Sequence, residues 1–339
     1  MTQQTKELAV SILDLVPVRQ GYPMAQAFED MKNLARHAEK LNYKRFWLSE
    51  HHNTPTLASS ATSILISKVL EATDTIEVGS GGIMLPNHTP LVVAEQFGTL
   101  ETMHPGRVNL GLGRAPGTDM QTARALRRTT QETAFQFPED VEELQRYLGP
   151  LEAQESVKAY PGVETEVPLF ILGSSTSSAV LAAKLGLPYA FAAHFAPQQL
   201  ESAVAIYRSR FEPSDKLAEP YVIACVNVVG ADSAEEAEQL STSSDQFYLN
   251  VVRGTKNPLM PPVETLDGRW SYAEEAMVKS MARYTFKGNA EQLGEQIGRF
   301  AGELPIDELM AVSYVYDQDK RVRSYEILKQ AVSNAVRLP

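Results

Sequence analysis

Residues 49–55 read Ser-Glu-His-His-Asn-Thr-Pro and follow the apolar run Phe46-Trp47-Leu48. A carboxylate and two adjacent imidazoles at a strand end can serve metal binding, acid–base chemistry, or a polar cap with no chemistry. Neighbouring strand residues point to opposite faces. His51 and His52 are therefore a poor pair of ligands for one metal, and His-x-His, or His-x-x-x-His on a helix, would be better spacing. No metal site is expected. An imidazole titrates near neutrality, which suits His51 to proton transfer or to a hydrogen bond with a reacting oxygen. Glu50 could orient that ring or cap a neighbouring loop. Two partly buried histidines bonded to loop backbone are the structural alternative.

A second stretch, Gly173-Ser174-Ser175-Thr176-Ser177-Ser178, runs from a strand into a helix. Free N–H groups and hydroxyls at a helix N-terminus suit a phosphate. Arg114 closes the run Gly111-Leu112-Gly113 and could add a bidentate cation. The alternative is that the serines only cap the helix. The stretch lacks the lysine and spacing of a Walker motif, and Gly111-Leu112-Gly113 is too short for a dinucleotide fingerprint. Gly81-Gly82 ends a third strand, where glycine lets a ligand approach the backbone or simply makes a tight turn. His194 follows a sixth strand and is placed to line a pocket. His37 within a helix and His104 before Pro105-Gly106 read as structural.

Apolar strand runs alternate with helical spacing along the chain. Strands are expected at 8–16, 44–48, 76–79, 107–113, 168–172, 189–193, 221–229 and 308–312. Helices are expected at 24–41, 58–70, 90–103, 118–134, 138–148, 176–185, 197–211, from 234, at 290–301 and at 319–336. Residues 149–166 read as a loop. Residues 244–285, with Pro258, Pro261, Pro262 and Gly268, read as an irregular insertion. Strands that alternate with helices form parallel sheet. Eight such units in 339 residues fit an α/β TIM (β/α)8 barrel with insertions, as one domain over 1–339. A doubly wound open sheet is the alternative. In a barrel, the polar and glycine-rich stretches above would all gather at the C-terminal ends of the strands.

The composition narrows the partners. The net charge of −11 gives no bulk attraction for nucleic acid or for an anionic membrane. The single cysteine, Cys225, sits in an apolar run and excludes an intrachain disulfide. The start of the chain lacks the basic and small-residue pattern of a signal peptide, and no apolar run nears the length of a membrane span. A cytoplasmic protein with a small-molecule substrate is expected.

The residues then carry a resemblance. Phe46-Trp-Leu-Ser-Glu-His-His52, Val78-Gly-Ser-Gly-Gly-Ile-Met-Leu-Pro86, His88-Thr-Pro90, Gly106-Arg-Val-Asn-Leu-Gly-Leu-Gly-Arg114 and Gly173–Ser178 fall in the order found in the bacterial luciferase-like monooxygenase family. The chain resembles that family from residue 8 to beyond 190, and more loosely after that. The resemblance implies a TIM barrel that binds reduced FMN at its C-terminal mouth. The flavin would come from a separate flavin reductase, with dioxygen as co-substrate. It implies a homodimer. By position it implies that His51 is the active-site histidine beside the flavin. Gly81 and Gly82 would form a bulge under the ring, often with a non-proline cis peptide. Arg114, Ser174, Ser175 and Ser178 would hold the phosphate. Gly113, Ser174, Ala192 and Ala193 depart from the luciferase itself, which points to a non-luminescent oxygenase. A deazaflavin-dependent hydride-transfer enzyme and a non-catalytic FMN-binding protein are the alternatives.

Overall fold

The computed structural model describes residues 8–115, 119–126 and 136–335. Eight parallel strands close into a ring: β1 (Ala9–Asp14), β2 (Arg45–Leu48), β3 (Glu77–Met84), β4 (Val108–Gly113), β5 (Leu169–Gly173), β6 (Tyr189–Phe191), β7 (Val222–Gly230) and β9 (Glu308–Val312). Sequential neighbours pair from β1 to β7, and β9 sits between β7 and β1. The fold is a TIM barrel. A further strand, β8 (Thr285–Gly288), runs parallel to the last four residues of β7 outside the ring.

The strands are buried on both faces, which is why they read as continuous apolar runs. Alternate residues sort into two layers. Ile12, Phe46, Leu48, Ile171, Ala224 and Leu309 face the helices. Leu13, Trp47, Phe170, Cys225 and Met310 fill the barrel interior. Each buried Leu, Ile, Phe or Met among them contributes about 1.5–3 kcal/mol. At the N-terminal ends of the strands the filling is polar. Arg45 Nε lies 2.9 Å from Glu308 Oε1, and Arg45 Nη1 donates to Asn109 Oδ1 at 2.9 Å. This plug leaves the opposite, C-terminal end as the way into the barrel.

The helices are α1 (Met24–Lys40), α2 (Thr62–Ala72), α3 (Pro90–Met103), α4 (Met120–Ala125), α5 (Phe137–Leu148), α6 (Thr176–Lys184), α7 (Leu200–Arg210), α8 (Ala234–Arg253), α9 (Tyr272–Met281), α10 (Ala290–Glu303) and α11 (Gln318–Ala335). The expectation of irregular chain over 244–285 holds for 254–271 and is corrected at both ends. α8 continues to Arg253, stopped by Gly254 at φ 67°, and α9 starts at a capping box between Ser271 and Glu274. β8 begins at the last residue of that range. The helix expected from 58 starts only at Thr62. Of the helix expected over 118–134, α4 is described, and 127–134 lie outside the described residues.

β3 is longer than expected and carries a bulge. The Gly81–Gly82 peptide is cis, and the pairing with β4 shifts between Gly81 and Ile83. A Cβ on Gly82 would lie 2.7 Å from the Gly111 carbonyl oxygen, a backbone atom, so that position requires glycine, whereas one on Gly81 would lie 2.7 Å from Leu13 Cδ1, the far end of a flexible side chain.

Candidate active site

The loop after β2 is fixed before any chemistry is considered. Ser49 and Ser59 share a hydroxyl contact at 2.9 Å, and Thr62 Oγ1 donates to the Ser49 carbonyl at 2.9 Å. Glu50 is 1% exposed and turns toward β3. It accepts from the Met84 N–H at 3.0 Å, Asn87 Nδ2 at 3.0 Å, His52 Nε2 at 2.8 Å and His88 Nε2 at 3.0 Å. Burial pushes its pKa up, but the hydrogen bonds from His52, His88 and Asn87 and the nearby His88 charge outweigh burial and hold it at about 2. Glu50 therefore orients His52 and His88 and caps the loop after β3. It makes no hydrogen bond to His51 among the described residues.

His51 is freed by that arrangement. Its backbone N–H donates to the Ser59 carbonyl at 3.3 Å, and its side chain lines the mouth of the barrel. Burial pulls the pKa of His51 down. The Glu50 charge raises it and His52 lowers it, and the net direction is down. The ring is thus held toward its neutral form. The cleft of about 330 Å³ beside it is walled by Leu57, Phe247 and Val251 on the apolar side and by Asn250, Thr255 and Asn257 on the polar side. Lys256 Nζ donates to the Asn53 carbonyl at 2.6 Å, and Asn53 Nδ2 donates to Asp119 Oδ2 at 3.0 Å. That chain of contacts spans the outer rim of the cleft.

The phosphate-like stretch sits at the same end of the barrel. Ser175 precedes the first turn of α6, and its hydroxyl lies 2.9 Å from that of Ser177. Exposed Arg114, directly after β4, donates from Nη2 to Ser177 Oγ at 3.3 Å. No carboxylate pairs with Arg114 among the described residues. Helix geometry leaves the first-turn N–H groups without intrahelical acceptors, and Gln199 Oε1 takes that of Thr176 at 2.9 Å. Ser174 is half-buried at the start of the loop. The hydroxyl of Ser178 points away: it donates to the Ser175 carbonyl at 2.7 Å and touches the Tyr189 hydroxyl at 3.0 Å. Ser178 can face an anion with its backbone N–H alone. Ser177 was not among the sequence candidates, although its place one residue before Ser178 in a serine run was visible.

Gly81 and Gly82 lie on β3, between the strands that bring His51 and Arg114. A cation, hydroxyls at the N-terminus of a nine-residue helix, and a side-chain-free strand bulge fit a phosphorylated planar ligand. Among the described residues no three His, Cys, Asp or Glu side chains gather as a metal-binding group. No helix among them is long and apolar enough to cross a membrane.

The family model described as luciferase-like monooxygenase matches residues 8–306. The chain is 44% identical over 322 residues to a protein of Escherichia coli named luciferase-like monooxygenase, covering 95% of this chain and 96% of that one. Among solved structures, apo-MsnO8 superposes with a TM-score of 0.87 at 32% identity, covering 96% of this chain and 98% of that one. The FMN complex of the oxygenating constituent of 3,6-diketocamphane monooxygenase from Pseudomonas putida superposes with a TM-score of 0.72. It is 16% identical, with 98% of this chain and 99% of that one covered, a likeness of fold alone.

Proposed function

The chain belongs to the luciferase-like monooxygenase family and is an oxidoreductase, and on that premise we propose that it is an FMN-dependent monooxygenase of a small organic substrate. The observation that carries this reading is the meeting of Arg114, Ser175 and Ser177 at the start of α6, at the same barrel end as His51 and Gly81–Gly82. Reduced FMN, when bound, supplies two electrons to dioxygen, so that one oxygen atom enters the substrate and the other leaves as water. A separate flavin reductase supplies the reduced FMN.

The chain's own residues bind, orient and shield. Arg114 and the Ser175 and Ser177 hydroxyls hold the phosphate, with the α6 N-terminus adding partial positive charge. Ser174 and the Ser178 N–H complete the loop around it. Gly81 and Gly82 let the ring lie against backbone. His51, kept neutral, offers one donor and one acceptor nitrogen beside the ring. Leu57 and Phe247 would form the apolar wall that limits water beside the bound flavin. The substrate lies in the cleft between the β2 loop and α8. The reading extends to a cytoplasmic homodimer.

The test is an anaerobic titration with reduced FMN, reduced riboflavin and a reduced deazaflavin, for wild type and R114A. A charge-assisted phosphate contact is worth about 1.5–3 kcal/mol, so R114A is expected to bind FMN roughly ten- to a hundredfold more weakly while riboflavin binding stays unchanged. Equal losses for both flavins, or preference for the deazaflavin, would overturn the assignment.

A further inference from the structure

β2 and β6 are four strands apart in either direction around the eight-strand ring. Residues just beyond their ends therefore face each other across the mouth. His51 stands three residues after the end of β2, and His194 stands three residues after the end of β6. Burial, followed by the nearness of His51, holds the His194 pKa at about 3, so the second ring is neutral throughout the working range.

The backbone at His194 is pinned. Its carbonyl accepts from Asn227 Nδ2 at 2.7 Å and from the Tyr248 hydroxyl at 2.5 Å, both on buried residues. The edge of the Phe195 ring packs at 5.0 Å between centroids. The residue is 6% exposed, and its Nδ1 is fully buried without a hydrogen-bond partner. Nε2 also makes no hydrogen bond among the described residues, but it is not among the fully buried atoms. A neutral imidazole carries one N–H. An orphaned buried N–H is rarer in folded proteins than an under-satisfied acceptor, so the proton belongs on Nε2 and the lone pair on Nδ1.

We propose that His194 presents a fixed, neutral Nε2–H donor into the barrel mouth opposite His51, and that it hydrogen-bonds an acceptor atom of the flavin ring system bound between the two histidines. The inference rests on the FMN reading and deepens it. The two imidazoles then do different work: His51 lies on the open cleft, whereas His194 is held by its pinned backbone and by close packing around a buried ring.

Three observations test it. Histidine nitrogen NMR on the free wild-type protein is expected to show His194 with its proton on Nε2; a proton on Nδ1 overturns the proposal. FMN titration of H194F, which keeps a flat ring without a donor, is expected to show roughly three- to tenfold weaker binding, the effect of one net hydrogen bond. H194Q, which restores an N–H, is expected to bind within about twofold of wild type. Unchanged FMN affinity in H194F, with wild-type FMN binding intact, overturns the His194 assignment and leaves the flavin reading standing. Equal losses in H194F and H194Q reduce the residue to packing and overturn the donor role. Failure of wild type to bind FMN overturns both. Thermal melting of each variant separates folding defects from binding, and the wild-type tautomer decides the matter if H194F does not fold.

Discussion

Replacing Glu50 with glutamine tests the hub on which the mouth is built. The substitution keeps size and one acceptor oxygen, but it removes the charge. It also turns an amide N–H₂ toward donors: the Met84 N–H and His88 on one side, or His52 and Asn87 on the other. In the folded protein the Glu50 pKa falls from 4.5 to about 2. At about 1.4 kcal/mol for each pH unit, that difference is worth about 3 kcal/mol of stability. Because the folded pKa is depressed, this stability is fully present above pH 4.5 and is lost as pH falls from there toward 2. Unfolding of wild type and E50Q, by urea or by heat across pH 8 to 3, is therefore expected to show a gap of about 3 kcal/mol that is flat down to about pH 5 and narrows below it. His51 would also lose the one neighbouring charge that raises its pKa. A gap below about 1 kcal/mol at pH 7, or one that stays constant into acid, would show that the Glu50 charge does not stabilise the fold.

Arg321 donates to Asp14 at 2.7 Å with both side chains buried; R321L leaves that carboxylate unpaired and is expected to cost about 3–5 kcal/mol in urea unfolding. A Cβ at Gly98 would lie 2.1 Å from the Gly162 Cα, so G98A is expected to lower stability by about 1–3 kcal/mol through overpacking; an unchanged melting temperature would contradict the close approach of α3 to that loop. His51→Ala should raise hydrogen peroxide release per dioxygen consumed and lower product yield. Unchanged coupling in that variant would remove the role assigned to His51.

The ring strands were legible because each is an apolar run buried on both faces, a pattern that survives without knowledge of neighbours. β8 was not, since in Thr285-Phe-Lys-Gly288 only Phe286 is apolar and buried, and the strand depends on pairing with the end of β7. The second half of α8 escaped because it buries polar residues, among them Ser241, Ser243, Ser244 and Gln246, and so breaks the apolar period. At the site, the Glu-His-His run announced itself, but its division of labour did not. Glu50 spends its acceptors on Met84, Asn87 and His88, more than thirty residues away. The inward turn of the Ser178 hydroxyl depends on Tyr189, which a helix-start pattern cannot reveal. His194 was legible as a pocket residue, while its unpartnered nitrogen is visible only in the packed structure.

Rapid mixing tests whether the mouth formed by His51, Gly81–Gly82, Arg114 and the serine loop uses reduced FMN to activate dioxygen. Protein saturated with reduced FMN without oxygen is mixed with aerated buffer, and flavin absorbance is followed in time. Bound flavin is expected to reoxidise more slowly than free flavin, through a transient that absorbs as neither the reduced nor the oxidised form, and to lose that transient in His51→Ala. Reoxidation at the rate of free flavin with no transient, or no binding of reduced FMN at all, would contradict that use of reduced FMN.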